Sequence, residues 1–237
     1  MLCYVTDRSV FAGEPVQAHN ILLKKIAAAA AAGVDWIQIR EKDLSGKECS
    51  SLAREAIKLA AKAASADAQS TDRSARGSPP VGASSREAPP ARIVVNDRLD
   101  IALAAHTGGV HLGEQSLPPE EARRLVKSLH REDFLMGVSC HSLEAAQEAE
   151  RGGADYLFFG PVFATPSKAT YGAPQGLDRL SKVCRAVRLP VLAIGGITLE
   201  NAAACLSARA SGIAAIRLFQ DAADFPTLIG TLRNLHT

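Results

Sequence analysis

Alternate positions of one short segment with a strand-like pattern carry side chains that could bind an anion. The stretch "DWIQIREKD" places Gln38, Arg40 and Lys42 two residues apart, and as a strand it would turn Ile37 and Ile39 to the opposite face. On an ordinary half-buried strand the polar face would meet solvent. If that face instead lines a pocket, two cations and an amide favour a phosphate or pyrophosphate ligand.

Polar residues follow the other apolar stretches in the same way. They include Asn96-Asp97, the segment "GEQS" at 113–116, Ser139, His141, Lys168, the pair Gly195-Gly196 and Arg217. The four cations of the two sets together would suit an anion of high charge. Bare backbone N–H groups at the glycine pair, beside a helix start, would add a second means of binding phosphate.

Asp97 is a carboxylate among these cations, and its position has two explanations. A carboxylate beside phosphates commonly binds Mg²⁺, which bridges to the phosphate oxygens and keeps several waters. Asp is also a favoured N-cap, and the sequence "DRLDIALAA" that follows has a helical pattern. Position alone leaves the metal site and the helix cap equally open.

Short apolar stretches alternate with helical patterns from one end of the chain to the other. Strands are predicted at 2–5, 36–40, 92–95, 109–112, 134–139, 155–160, 190–195 and 212–216. Helices are predicted near 20–32, 46–64, 98–106, 118–130, 142–152, 176–187, 199–208 and 223–235. Strict alternation implies a parallel sheet, because each crossover between parallel strands needs a helix.

Eight such units in 237 residues predict a (β/α)₈ TIM barrel, an α/β fold, as a single domain over 1–237. A doubly wound open sheet is the alternative, but it would favour a glycine-rich fingerprint after the first strand, and "YVTDRSVFAG" has none. In a barrel the active site is built at the carboxyl ends of the strands. The polar residues that follow the strands would therefore converge at one rim.

One segment interrupts the alternation. Residues 65–91 are rich in Ser, Ala, Pro and Gly and contain almost no large apolar residue. Such a segment cannot bury enough surface to offset the entropy of ordering it, so we predict a flexible loop between the second helix and the third strand. The loop would lie at the end of the barrel away from the active site, where a tolerated insertion is favoured over a regulatory role.

Composition excludes several classes of partner. Lys plus Arg number 27 against 25 Asp plus Glu, a formal charge of +2, and the basic residues show no clustering typical of nucleic-acid binding. We therefore expect no nucleic-acid or membrane partner and a cytoplasmic protein without a signal peptide. The five scattered cysteines fit a reducing compartment. A homo-oligomer stays open.

Seven motifs together resemble the thiamine phosphate synthase family. In family order they are "YVTD", "IQIREKD", "VVNDRLDIAL", "GVHLG", "GVSCHS", "ADYLFFGPVFATPSK" and "VLAIGGI", and they cover nearly the whole chain apart from the 65–91 insertion. The resemblance implies a Mg²⁺-dependent transferase of thiamine biosynthesis. It would join hydroxymethylpyrimidine pyrophosphate to a thiazole phosphate and release pyrophosphate, which leaves before the thiazole nitrogen traps the pyrimidine cation.

The resemblance also implies roles for particular residues. Substrate-binding residues would be Gln38, Arg40, Lys42, Asn96, Thr165, Ser167, Gly196, Ile216 and Arg217. Ser139 and Lys168 would act in catalysis, and Asp97 would ligate Mg²⁺. Two positions depart from the family pattern: Ser116 stands where a second metal-binding Asp is usual, and Arg217 stands where Ser is frequent.

Two other functions remain possible for the same fold. A thiazole tautomerase of the TenI type uses a histidine as its acid–base group, and His141 matches that position. A non-catalytic regulator or binding protein is the third possibility, supported only by Ser116. The synthase is preferred because a tautomerase would not need the whole pyrophosphate half of the site. His111 is interpreted as a structural or pocket-wall residue, and Glu114 as a conceivable substitute metal ligand.

Overall fold

Eight parallel strands form a closed barrel, with the strands in sequence order around it. The computed structural model describes residues 1–11, 13–74, 89–165 and 173–235, with the backbone alone for 67–74. Each strand pairs with its neighbours in the chain, and β1 closes the barrel by pairing with β8 through Cys3 and Ala214. The predicted (β/α)₈ barrel is confirmed.

The strands are short and lie close to their predicted positions. Their bounds are β1 Leu2–Val5, β2 Trp36–Ile39, β3 Arg92–Asn96, β4 Gly109–Leu112, β5 Leu135–Cys140, β6 Tyr156–Phe159, β7 Val191–Ile194 and β8 Gly212–Ala215. The helices are α1 Pro15–Ala31, α2 Gly46–Ser74, α3 Leu99–Ala104, α4 Pro119–Ser128, α5 Leu143–Arg151, α6 Gly176–Ala186, α7 Leu199–Ser207, α8 Arg217–Gln220 and α9 Phe225–Asn234. A 3₁₀ turn, Arg8–Val10, follows β1.

Two apolar clusters lie on opposite faces of the strands. Ile37 and Ile39 belong to the large outer cluster between barrel and helices, whereas Tyr156 and Phe158 belong to a small inner cluster. Because side chains alternate along a strand, the residues between these isoleucines face the interior of the barrel. The predicted division of the second strand, isoleucines outward and Gln38 inward, is confirmed.

The predicted loop at 65–91 begins too early. Helix α2 continues to Ser74, ten residues beyond its predicted end at 64. The sequence "AKAASADAQ" explains the difference, because alanine has the highest helix propensity and needs no burial to extend a helix by a few turns. Residues 75–88 lie outside the described part of the chain, and β3 starts at Arg92 as predicted.

The last strand also differs from its prediction at one end. Strand β8 stops at Ala215, and Arg217 is the first residue of the short helix α8 rather than the end of the strand. Among the described helices none is long and apolar enough to cross a membrane.

Candidate active site

A chain of amide and carboxylate hydrogen bonds joins the ends of β2 and β3. The Gln38 side chain, 2% exposed, donates from Nε2 to Asn96 Oδ1 at 2.7 Å. Asn96 in turn donates from Nδ2 to Asp97 Oδ2 at 2.6 Å. The amide oxygen of Gln38, Oε1, is buried and has no hydrogen-bond partner among the described residues. This leaves a buried acceptor at the first residue of a chain that ends at the predicted metal residue, Asp97.

A second network holds the loop that carries Arg40. The Thr6 hydroxyl donates to Glu41 Oε1 at 2.5 Å and accepts from the Arg40 backbone N–H at 3.0 Å. The other Glu41 oxygen accepts from the Arg8 backbone N–H at 2.9 Å. Burial raises the pKa of Glu41 above its usual range, against these hydrogen bonds, which lower it. Glu41 therefore ties the loops after β1 and β2 together.

The Arg40 guanidinium lies beside this network, with its Nη1 atom 3.7 Å from Asp7 Oδ2. Both side chains are about one-quarter exposed, at 27% and 25%. A contact of that length and exposure is weak, so Arg40 can exchange Asp7 for a stronger anion at small cost.

A cavity of about 330 Å³ opens between the loops after β2 and β3. Its polar lining comprises Glu41, Lys42, Asn96, Asp97 and Arg98, and its apolar wall includes Ile39, Leu44, Cys49 and Ile101. Two of these side chains are cations, and two, Glu41 and Asp97, carry carboxyl groups. The cavity thus brings the predicted residues Lys42, Asn96 and Asp97 together.

The Asp97 side chain bonds to residues at the barrel mouth rather than capping the helix that follows it. Its Oδ1 atom accepts from the Gly113 backbone N–H at 3.0 Å and from Ser116 Oγ at 2.5 Å. Helix α3 begins at Leu99 with Arg98 as its N-cap and no side-chain cap. The helix-cap explanation is therefore wrong. The backbone of Asp97, at φ 60, is in a conformation that few residues other than Gly, Asn and Asp adopt.

The residues around Asp97 fit a single Mg²⁺ ion. Within the described ranges, no group of three or more His, Cys, Asp or Glu side chains could hold a metal alone. Mg²⁺ does not need such a group, because it is usually bound by one or two carboxylates, substrate phosphates and water. Ser116 stands at the family's second metal position, and its hydroxyl contacts the Asp97 carboxylate. The first and second metal positions of the family are therefore adjacent in this structure. Asp97 remains the predicted metal ligand.

Ser116→Asp is the substitution that tests this arrangement. A second carboxylate beside Asp97 is expected to tighten Mg²⁺ binding, measured by calorimetry with pyrophosphate present, by about fivefold, since a nearby added charge contributes ~1 kcal/mol. Glu114→Gln is the control. Glu114 Oε1 lies 3.6 Å from His141 Nε2, whereas the hydrogen-bond partners of the Asp97 carboxylate among the described residues are Asn96, Gly113 and Ser116. Loss of the Glu114 charge should therefore leave Mg²⁺ affinity unchanged. Weaker binding in Ser116→Asp would contradict the assignment of Asp97.

His111, Ser139 and Tyr156 form a hydrogen-bonded chain inside the barrel. His111 Nε2 lies 2.9 Å from Ser139 Oγ, and His111 Nδ1 lies 3.2 Å from the Tyr156 hydroxyl. Burial lowers the pKa of His111 to about 3, so the ring is neutral at pH 7. His111 is a buried structural residue of the barrel interior, one of the two roles predicted for it, and it is in direct contact with the predicted catalytic serine.

His141 lies on the neighbouring part of the rim. Its Nδ1 atom donates to the Gly160 carbonyl, which fixes the hydrogen on that nitrogen, and its Nε2 atom faces Glu114. Ser142, not His141, caps helix α5 and accepts from the Ala145 backbone N–H. The side chain is 28% exposed. It is therefore at the mouth, with an orientation set by the loop after β6.

The glycine pair after β7 lies under the loop that follows β6. A Cβ atom at Gly196 (φ +67) would come within 2.5 Å of the Ala164 carbonyl and 2.8 Å of Phe163 Cβ. The Phe163 backbone N–H donates to the Gly195 carbonyl at 3.0 Å. These contacts place the described part of the β6 loop, which ends at Thr165, against the glycine turn.

The remaining predicted residues divide into those the structure places at the rim and those it does not describe. Ile216 is the N-cap of α8 and packs against the inner apolar cluster, and Arg217 beside it is exposed. Thr165 is partly buried at the end of the described loop. Ser167 and Lys168 lie outside the described residues, and their predicted roles stay predictions.

Sequence reasoning missed Glu41 and Tyr156 as parts of the site. Glu41 had a usable signal, since a carboxylate on the outward, apolar face of a strand must find buried donors. Tyr156 had none, because an aromatic residue in an apolar strand reads as core.

Fold and site together define the class of the protein: a (β/α)₈ barrel whose carboxyl-end mouth brings together cations, amides and carboxylates. The family model described as thiamine monophosphate synthase matches residues 83–219. A putative thiamine-phosphate synthase of Geobacter sulfurreducens is 40% identical, covering 91% of this chain and 84% of the relative. The thiamine-phosphate synthase of Methanoculleus marisnigri is 37% identical, covering 98% and 93%. This chain belongs to the thiamine phosphate synthase family.

Solved structures agree with this assignment. Thiamine phosphate pyrophosphorylase from Pyrococcus furiosus superposes with a TM-score of 0.74 at 29% identity, covering 99% of this chain and 94% of that one. A 3-hexulose-6-phosphate synthase superposes with a TM-score of 0.64 at 17% identity, covering 100% and 99%. The second likeness shows only that the barrel fold is shared.

Proposed function

We propose that this protein is a transferase that couples hydroxymethylpyrimidine pyrophosphate to thiazole phosphate and releases pyrophosphate. Family membership supports the reaction, as the resemblance predicted. The observation that carries the proposal in this chain is the Gln38–Asn96–Asp97 chain of hydrogen bonds, whose last two residues line one cavity with Lys42. A tautomerase would have no use for this half of the mouth.

The chemical difficulty in this reaction is charge separation as pyrophosphate leaves the pyrimidine. Groups that stabilise the departing charge in a fixed arrangement lower that barrier most. Arg40 and Lys42 would supply positive charge, with Lys168 beyond the described residues. Because Glu41 and Thr6 hold the Arg40 backbone before substrate arrives, little reorganisation is needed when the charge develops.

Gln38 and Asn96 would orient the pyrimidine half of the substrate. Their side chains are bonded to each other at 2.7 Å, which fixes both amides, and Gln38 Oε1 remains as a buried acceptor. An aminopyrimidine offers N–H donors that such an acceptor could bind. Ser139 would donate a hydrogen bond to the pyrophosphate from the next part of the rim.

Mg²⁺ is the proposed metal, beside Asp97, where it would neutralise part of the pyrophosphate charge. Asn96, Gly113 and Ser116 hold the Asp97 carboxylate in one orientation through hydrogen bonds to both of its oxygens. The protein's contribution is therefore a fixed carboxylate at the edge of the cavity.

The thiazole phosphate would bind on the opposite part of the rim. The backbone N–H groups at Gly196 and near Ile216, with Thr165, Ser167 and Arg217, are the proposed phosphate donors. Gly196 suits this role because the absence of a side chain lets the β6 loop and a ligand approach the same backbone. Two anions bound at opposite parts of one rim would bring the pyrimidine carbon and the thiazole nitrogen together.

The thiazole tautomerase is the alternative, and one observation keeps it in view. His141 is partly exposed at the mouth, and its Nδ1 hydrogen bond fixes the ring, as an acid–base group requires. A regulator of the same fold is supported by no specific contact among the described residues.

A cytoplasmic location remains our proposal and is supported by five free cysteines.

His141→Asn separates the two enzymes. The purified protein with Mg²⁺ and both substrates is expected to form thiamine phosphate. The coupling rate of the variant should stay within about tenfold of the wild-type rate. A histidine that acts as the acid–base catalyst would typically contribute about 10²–10⁴-fold, so a larger loss would be expected if the reaction used it. Liquid chromatography of the products measures both rates. Absence of coupling, together with thiazole isomerisation that the variant loses, would assign the tautomerase instead.

A further inference from the structure

Three polar side chains form a line from the interior of the barrel to its mouth. Tyr156, His111 and Ser139 stand on adjacent strands, β6, β4 and β5, and all three face inward. Tyr156 and His111 are each about 1% exposed, whereas Ser139 is partly exposed at the rim. The line therefore connects a fully buried hydroxyl to one that a ligand can reach.

Packing inside the barrel fixes the positions of the His111 and Tyr156 rings. The His111 ring packs on Phe158 with centroids 4.1 Å apart and on Tyr156 at 5.5 Å. Gly137, between them on β5, leaves the space: a Cβ there would lie 2.1 Å from Tyr156 Cζ and 2.5 Å from His111 Nδ1. Contacts this close mean that even alanine at 137 would displace the ring or the phenol. The relative positions of the two rings are thus fixed by packing.

Only one tautomer of the neutral His111 ring satisfies the buried hydroxyl of Tyr156. Among the described residues, the Tyr156 hydroxyl has His111 Nδ1 as its partner. A buried hydroxyl that fails to donate leaves an unsatisfied hydrogen, which is costly, so Tyr156 donates and Nδ1 accepts. The neutral ring then carries its hydrogen on Nε2, and Nε2 donates to Ser139 Oγ. Ser139 receives a hydrogen bond and keeps its own hydrogen for another acceptor.

We propose that Tyr156 and His111 are positioning residues that turn the Ser139 hydroxyl into a dedicated hydrogen-bond donor to an anion at the barrel mouth. With the opposite tautomer, Ser139 would donate to Nε2 and present only lone pairs to the ligand, which would repel a phosphate oxygen. The proposal rests on the proposed function only in taking pyrophosphate as the anion. The tautomer itself is a property of the free protein.

The first experiment reads the tautomer directly and needs no variant. Protein labelled with ¹⁵N at histidine gives long-range ¹H–¹⁵N correlations in which protonated and bare ring nitrogens are well separated. His111→Gln identifies the signal by its disappearance. The expected pattern for His111 is a protonated Nε2 and a bare Nδ1. A protonated Nδ1 would overturn the proposal whatever the protein's activity.

The second experiment uses a matched pair of variants, His111→Gln and His111→Asn. The Gln amide can reach the former position of Nε2 and donate to Ser139, whereas the shorter Asn amide reaches only the position of Nδ1. Calorimetry with magnesium pyrophosphate is expected to show nearly unchanged affinity for Gln. It should show about fivefold weaker binding for Asn, because the Ser139 hydroxyl loses its fixed orientation. Thermal melting reports separately on stability.

Ser139→Ala completes the design. Alone it should weaken pyrophosphate binding by about tenfold or more, as expected for a hydrogen bond to a charged group, and in the His111→Asn background it should weaken it by much less. Equal affinity losses for the Gln and Asn variants, or full additivity with Ser139→Ala, would overturn the positioning role. Wild-type protein that shows the tautomer and these affinities without coupling would instead refute the proposed function and leave this inference standing.

Discussion

Gly196→Ala is expected to lower kcat/KM for thiazole phosphate by about 100-fold or more, because a displacement near 1 Å at a substrate-positioning loop can cost that much. The added methyl group would come within 2.5 Å of the Ala164 carbonyl. Backbone cannot yield as a flexible side chain can, so the β6 loop must move away from the glycine turn. Steady-state kinetics with each substrate varied in turn measures the effect, which should be largest on the KM for thiazole phosphate.

Gly33→Ala is the matched control for this substitution. Gly33 also has a positive φ, +82 against +67, but a Cβ there would meet nothing within 4 Å. Both variants therefore carry a similar backbone strain of ~1–2 kcal/mol in the free energy of unfolding, and only Gly196→Ala adds the collision. Equal kinetic losses in the two variants would show that strain alone, rather than the phosphate site, explains the effect.

Asp97→Asn carries the second large expected effect, a loss of about 100- to 1000-fold in kcat at fixed Mg²⁺, as for other groups that stabilise developing charge. Asn has nearly the same shape, tolerates a positive φ, and keeps an oxygen for Gly113 and Ser116. The folded structure should therefore persist while the charge is lost. Raising the Mg²⁺ concentration should recover part of the rate, which titration of kcat against Mg²⁺ would measure.

Asp133→Asn provides the comparison for Asp97. Asp133 precedes β5 at the opposite end of the barrel, its side chain is 74% exposed, and among the described residues its carboxylate pairs only with Arg131. Its substitution removes one carboxylate of the same type without touching the mouth. If Asp97→Asn retains full activity with the same Mg²⁺ dependence as Asp133→Asn, the metal assignment is wrong.

The strands could be predicted well because two patterns agree along most of the chain: the short apolar stretches of the strands and the regular apolar spacing of the helices between them. Strands such as Gly109–Leu112 are short apolar stretches bounded by turns, and the helices between them show regular apolar spacing. The prediction failed where those signals conflict. The end of α2 has a polar sequence yet is helical, since alanine needs no tertiary support, and α8 is too short, at four residues, to show a period.

The site could be predicted in its parts but not in its contacts. Alternation along β2 identified Gln38 as inward, and the position of Asn96 after a strand identified the rim. That Ser116 would touch Asp97, 19 residues away, depends on the loop after β4, whose path no local pattern encodes. The same holds for Tyr156, whose role depends on a glycine of the neighbouring strand that leaves room for two rings.

The most direct measurement is ³¹P NMR of the wild-type protein with Mg²⁺, hydroxymethylpyrimidine pyrophosphate and thiazole phosphate. The barrel mouth as described predicts that pyrophosphate and thiamine phosphate appear in equal amounts, at a rate that falls sharply in an Arg40→Met variant. A spectrum in which both substrates persist unchanged, with folded protein and excess Mg²⁺, would contradict the account.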